Sequence, residues 1–123
     1  MALRTMFLRP LVLALLMAFV SVPSVWADER GQAKKQVEFG IQVAQRGLWK
    51  EAIYRWERAA QLDPNYAAAF NNLAVAYEHE GQLAKAREAY EKALRLEPNN
   101  ALVRQNYDLF KEINDRAAQK DGR

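Results

Sequence analysis

The sequence predicts an all-α fold in which antiparallel helical hairpins stack on one another, two hairpins followed by a capping helix. Three observations predict it. The stretch GLWKEAIYRWERAAQLDPNY, residues 47–66, returns 34 residues later as GQLAKAREAYEKALRLEPNN, residues 81–100. Apolar residues in both copies recur at spacings of three and four, which is one face of a helix. Glycine opens each stretch, where a helix must stop and turn, and proline closes it, where the preceding residue is barred from helical geometry.

The chain's first segment stands apart from this pattern. Residues 1–10 carry Arg4 and Arg9 and no acid, Leu11 to Val20 are uniformly apolar, and Val25 and Ala27 flank Trp26 ahead of Asp28. Basic head, short apolar run and small-residue exit make residues 1–27 a secretory signal peptide. The run is shorter than the roughly 20 residues that span a bilayer. An uncleaved membrane anchor is the alternative, and the membrane is a partner only in that case. Export without a single cysteine suits a bacterial periplasm, reached across the inner membrane. Removing residues 1–27 takes away two arginines and lowers the net charge from +3 to +1. Residues 28–32 then form a short leader.

The repeat itself runs from Ala33 to Tyr66 and again from Ala67 to Asn100. Eight of the 34 positions are identical, among them Gly47 with Gly81, Ala52 with Ala86, Ala59 with Ala93 and Pro64 with Pro98. Chance for this composition gives roughly two or three. A period of this length points to a solenoid of helical hairpins. In the second copy Phe70, Leu73, Ala74 and Tyr77 form the apolar face of a first helix. Leu83, Ala86, Tyr90, Ala93, Leu94 and Leu96 form that of a second. The alanines let two backbones approach closely, and Tyr90 fills the space between hairpins. Asn99 and Asn100 offer turn and cap chemistry for the next helix. Residues 101–118 begin like a third copy, with Leu102, Val103, Asn106, Tyr107, Phe110 and Ile113 at helical spacing. No glycine turn or further helix comes after them, so this segment reads as a cap over the last hairpin, and 119–123 as a polar tail that frays.

These residues resemble the tetratricopeptide repeat family. Leu73, Ala74, Tyr77, Gly81, Ala86, Tyr90, Ala93 and Pro98 stand where its pattern wants such residue types, and Phe39, Gly40, Gly47, Ala52, Trp56, Ala59 and Pro64 do so in the first copy. The first copy departs at Gln36 and Val43. The resemblance implies a right-handed superhelix whose inner face is lined by the first helix of each pair. On that basis the candidate partner-binding groove comprises Lys34, Val37, Glu38, Ile41 and Ala44 from copy one, Asn71, Asn72, Val75, Glu78 and His79 from copy two, and Gln105 and Leu109 from the cap. One variant of the family grips C-terminal carboxylates with lysines, asparagines and an arginine. Asn72 matches one such position, but Val37, Ile41, Leu102 and Asn106 replace the others, so that activity is not carried over.

Other chemistry is absent from the sequence. There is no cysteine, and His79 is the lone histidine, too little for a metal site. No phosphate loop, nucleophile–base pair or catalytic carboxylate pair appears. Interleaved charges of small net value do not describe a nucleic-acid binder. Three helical pairs, Glu51 with Arg55, Glu88 with Lys92 and Glu91 with Arg95, read as solvated contacts, and Trp49 and Trp56 read as core. The sequence therefore predicts a non-enzymatic, cofactor-free scaffold that binds a peptide or protein segment in the cell envelope. The competing expectation is a structural subunit that self-associates as a homo-oligomer or packs into a larger assembly. Two repeats and a cap lie near the lower limit for such an array.

Overall fold

The computed structural model describes residues 25–122, with side chains from residue 28 onward. The signal segment lies outside the described residues apart from its last three. Five helices follow in order: α1 Val25–Gln45, α2 Trp49–Leu62, α3 Ala67–His79, α4 Leu83–Leu96 and α5 Ala101–Asp121. Each repeat supplies one hairpin, α1 with α2 and α3 with α4.

Both hairpin turns use the same device. Gly47 and Gly81 adopt positive φ, 77° and 74°, a region that costs a residue with a Cβ but not glycine. The chain then closes a Schellman motif on each helix end. Gly47 N–H donates to Ala44 O and Leu48 N–H to Val43 O, while Gly81 N–H donates to Glu78 O and Gln82 N–H to Tyr77 O. The links between repeats match as well. Tyr66 N–H bonds Asp63 O and Asn100 N–H bonds Glu97 O, each 3.1 Å across a proline. Asn100 also caps α5, its Oδ1 accepting from Val103 N–H at 3.2 Å.

The helices form two layers. α1 touches α3 and α3 touches α5, whereas α2 and α4 make no such approach to each other. The array therefore closes up along its first helices and opens along its second ones, which curves it around α1, α3 and α5. Alanine permits the close packing: Ala52, Ala59, Ala74, Ala86 and Ala93 are all fully buried. Each hairpin then takes one large aromatic group between its helices. In the second repeat Tyr90 and Ala74 hold the equivalent positions, both buried. In the first it is the larger Trp56 against Gly40, and a Cβ on Gly40 would stand 2.7 Å from Trp56 Cδ1 and closer still to Nε1. The indole N–H donates to Val37 O at 3.0 Å, so the ring is pinned against the α1 backbone. Tyr90 in turn packs on α5, with ring centroids 5.5 Å from both Tyr107 and Phe110.

Tyrosine–glutamate bonds tie successive helices. Tyr77 of α3 donates to Glu57 of α2 at 2.6 Å, Tyr90 of α4 to Glu78 of α3 at 3.1 Å, and Tyr107 of α5 to Glu91 of α4 at 2.8 Å. Glu91 is thereby drawn to α5, and of the three intrahelical pairs read from the sequence Glu51–Arg55 closes, at 2.8 Å.

Three features differ from the sequence reading. Residues 28–32 continue α1, and Arg30 reaches the inter-repeat link, pairing with Asp63, donating to Asn65 O and lying 4.8 Å from the Tyr66 ring centre. The terminal helix runs to Asp121, into the 119–123 segment expected as a frayed tail. Phe39, at the position of buried Leu73, is 43% exposed, because no described helix precedes α1 to cover it. The departure at Gln36 also has a structural consequence, since its Oε1 is buried with no hydrogen-bond partner among the described residues.

Gly40→Ala will destabilise the fold by about 2–4 kcal/mol, the range of overpacked or truncated cores. Adding Trp56→Phe, which makes room for the methyl, will recover part of that loss. Urea unfolding of the two single variants and the double variant measures the coupling, and strict additivity would contradict the packing described. The pH profile has two limbs. Burial first, then the neighbouring carboxylates Glu57 and Glu78, push the Tyr77 and Tyr90 hydroxyls well above the ordinary tyrosine value. Their contribution is complete below about pH 10, where unfolded tyrosines ionise, and declines as pH rises beyond it. Chiefly its hydrogen bond from Arg30 holds the Asp63 carboxyl below the usual range. That contribution is present above about pH 4 and is lost as pH falls further. Stability measured against pH will show a shallower alkaline limb in Tyr77→Phe and a shallower acid limb in Arg30→Ala.

Candidate functional site

The inner face carries a cavity of about 410 Å³ between α1, α2, α3 and α5. Ile41, Ala44 and Gln45 of α1 form one wall and Asn72 and Val75 of α3 the other. Trp49 and Trp56 of α2 lie at its base with Asn71, and Asn106 of α5 closes one end. Its lining contains no charged residue.

The local register explains which side chains arrive there. On each first helix, residues at i, i+4 and i+7 from the repeat start face the partner helix of the same hairpin. In α1 these are Ala33, Val37 and Gly40, all buried; in α3 they are Ala67, Asn71 and Ala74, also buried. Val37 therefore belongs to the core, at 5% exposure, and not to the groove surface expected of it. Asn71, expected as an open groove residue, is 8% exposed and reaches the cavity only through its carboxamide. In α5 the same stripe is Ala101, Gln105 and Asp108, which no described helix covers. Gln105 and Leu109 consequently line a separate depression of about 500 Å³ with Arg104, Asp108 and Glu112.

Of the residues named from the sequence, Ile41, Ala44, Asn71, Asn72 and Val75 converge on the cavity. Lys34 and Glu38 are exposed on α1 but do not line it. Glu78 is half-buried and holds the Tyr90 hydroxyl. His79 stacks on Trp49, ring centroids 4.1 Å apart and 20° from parallel, beside the end of the cavity that Trp49 forms. The sequence reading missed Gln45, Trp49, Trp56 and Asn106. Asn106 had a visible signal, since it lies 34 residues after Asn72. The two tryptophans had none, because their repeat positions mark them for the core and only the packing shows that they also line the cavity.

A polar contact crosses the floor. Asn106 Nδ2 donates to Asn71 Oδ1 at 3.2 Å, joining α5 to α3. Unlike Gln36 Oε1, the Asn71 Nδ2 is not a buried unpartnered atom. Chemically the cavity can offer apolar contact from two aliphatic walls and two indoles, together with carboxamide donors and acceptors. It offers no nucleophile, acid or base.

Comparison with known proteins agrees with this architecture. Residues 67–100 match the tetratricopeptide repeat, and residues 42–81 match a TPR repeat model that overlaps it. The chain thus carries tetratricopeptide repeats. It is 32% identical over 85 residues to the chloroplastic tetratricopeptide repeat domain-containing protein PYG7 of Arabidopsis thaliana, covering 69% of this chain and 28% of that protein. It is 35% identical over 74 residues to the type IV pilus assembly protein PilF of Pseudomonas aeruginosa, covering 60% of this chain and 29% of that one. The solved structure of Pseudomonas aeruginosa PilF superposes with a TM-score of 0.68 at 30% identity, over 72% of this chain and 40% of the solved one. The chain spans well under half the length of each.

Asn71→Leu will leave stability unchanged or raise it by up to about 1 kcal/mol. An apolar group of similar size there replaces a buried carboxamide whose one hydrogen bond is to Asn106. Thermal unfolding decides this, and a loss of several kcal/mol would mean that the Asn106–Asn71 bond is a principal tie between α3 and α5.

Proposed function

We propose that this protein is an interaction module whose inner cavity binds a segment of another protein in the cell envelope. The observation that carries the reading is the convergence of α1, α2, α3 and α5 on one open, partly apolar cavity. Pockets of this kind, about 300 Å³ and upward, are where ligands lodge. Apolar residues left open on a curved face, with amide groups among them, suit a peptide segment. The two relatives named as a repeat-domain protein and a pilus assembly protein are consistent with a role in assembly rather than catalysis. The basic head, apolar run and small-residue exit of residues 1–27 support export. Binding rather than chemistry is the role of the cavity residues.

A second reading has its own observation. Large apolar groups stay open at both ends of the stack, Phe39 and Tyr54 at one and Leu102, Leu109 and Ile113 at the other. Such ends would pack in a self-associating structural subunit.

A photo-crosslinking side chain placed at Val75 or Ile41 in the producing cell will yield discrete adducts, whereas one at the outward Arg58 will not. Val75→Glu, which puts a charge on the cavity wall, will abolish adducts formed from Ile41. Adducts equally strong from Arg58 would argue against the cavity. The same cells will hold a mature chain starting at Asp28 in the periplasmic fraction, and an intact N-terminus by mass spectrometry would overturn that part of the proposal. Sedimentation at high micromolar concentration separates the second reading, since a clean monomer removes it.

A further inference from the structure

We infer that the outer face of the second hairpin is a separate docking surface, and that it takes an acidic amphipathic helix of a partner protein. Two carboxylates seven residues apart on that helix meet Lys85 and Lys92, and an apolar residue between them lies over Leu73 and Ala89. The surface is a depression of about 480 Å³ formed by α3 and α4. Its α3 residues, Phe70, Leu73 and Tyr77, fall on the side of that helix away from Asn72 and Val75 of the inner cavity. α2 and α4 make no contact with each other, which leaves room over α3 for a further helix.

Charge points to the sign of the partner. Three cations line the depression, Lys85, Lys92 and Arg95, with two carboxylates, Glu88 and Glu91. Glu91 already accepts from the Tyr107 hydroxyl, and Glu57 of α2 from the Tyr77 hydroxyl. None of the three cations forms an ion pair among the described residues, although Glu88 stands four residues before Lys92 and Glu91 four before Arg95. The lysines turn to rings instead. Lys85 Nζ lies 5.5 Å from the centre of the Tyr77 ring and Lys92 Nζ 5.7 Å from that of Phe70, within reach of a cation–π contact. Each ammonium group is thus held over an aromatic floor with no carboxylate on it.

Spacing points to a helix. Lys85 and Lys92 are seven residues apart on α4, and Phe70 and Tyr77 seven apart on antiparallel α3, about 10.5 Å along a helix axis. Carboxylates at i and i+7 of a helix lying along the groove repeat that distance on one face. An extended chain does not, because its same-face residues come at about 6.7 and 13 Å. Midway between the two lysines the floor is Leu73 and Ala89, so an apolar residue at i+3 or i+4 of the partner covers carbon there.

Synthetic helical peptides titrated into the full chain test this, with glutamates at i and i+7 around a leucine at i+4. Binding will be about tenfold tighter than by a peptide of the same composition with its glutamates at i and i+4. Lys85→Glu combined with Lys92→Glu will abolish it without changing the unfolding midpoint, and a peptide with lysines in place of the glutamates will bind that doubly reversed chain. Val75→Glu, on the inner cavity, will leave the affinity unchanged. Equal affinity for both spacings, indifference to the double reversal, or no binding would overturn the inference and leave the inner cavity's role untouched. Attachment to phosphatidylglycerol vesicles that the double reversal abolishes, with no peptide bound, would overturn it too and make the surface a lipid contact.

Discussion

The wedge of one aromatic ring between two helices, set against a residue with almost no side chain, sustains the rest of the architecture. Trp56 lies against Gly40, and Tyr90 and Ala74 hold the same two repeat positions in the buried core. Where the ring is an indole, the opposing methyl is gone and the indole N–H binds the freed backbone at Val37 O. Where it is a phenol, the methyl stays and the hydroxyl finds Glu78. Glycine inside a helix costs about 1 kcal/mol relative to alanine, and burial of a tryptophan side chain more than offsets that. Ring and gap are thus a matched pair within each repeat, although the repeats differ at both positions.

Curvature and the cavity follow from that contact. With alanine elsewhere along the hairpin interfaces, the first helices approach one another and the second ones do not. The inner surface becomes concave, and Trp49 and Trp56 line the cavity between α1 and α3. The tyrosine–glutamate bonds run from each helix back to the one before it, α3 to α2, α4 to α3 and α5 to α4. A distortion at one hairpin is therefore felt at the next.

The repeat pattern breaks at α5, and the reason is visible at one position. Gly40 and Ala74 are buried at equivalent repeat positions, and the corresponding residue in α5 is Asp108. A carboxylate there could not be buried against a further helix without a partner. The stripe is accordingly left to solvent, while Val103 and Phe110 on the other side of α5 seal the Tyr90 cluster. One side of α5 thus packs inward while the other leaves a mixed polar and apolar surface exposed.

Much of this was legible in the sequence. The period of 34 residues, the glycines at 47 and 81 and the prolines at 64 and 98 determined the number of helices, their turns and their pairing, because these depend on local backbone chemistry repeated in register. The continuation of α1 through Arg30 was not legible, since its anchor, Asp63, lies 33 residues away. Nor was the true membership of the cavity. Helical spacing identifies a stripe, but α1 and α3 here each bury two stripes, one on their own hairpin partner and one on a neighbouring repeat. Whether Val37 and Asn71 fall inside and Asn106 falls on the rim is settled by which helix covers which arc, and only packing in three dimensions supplies that.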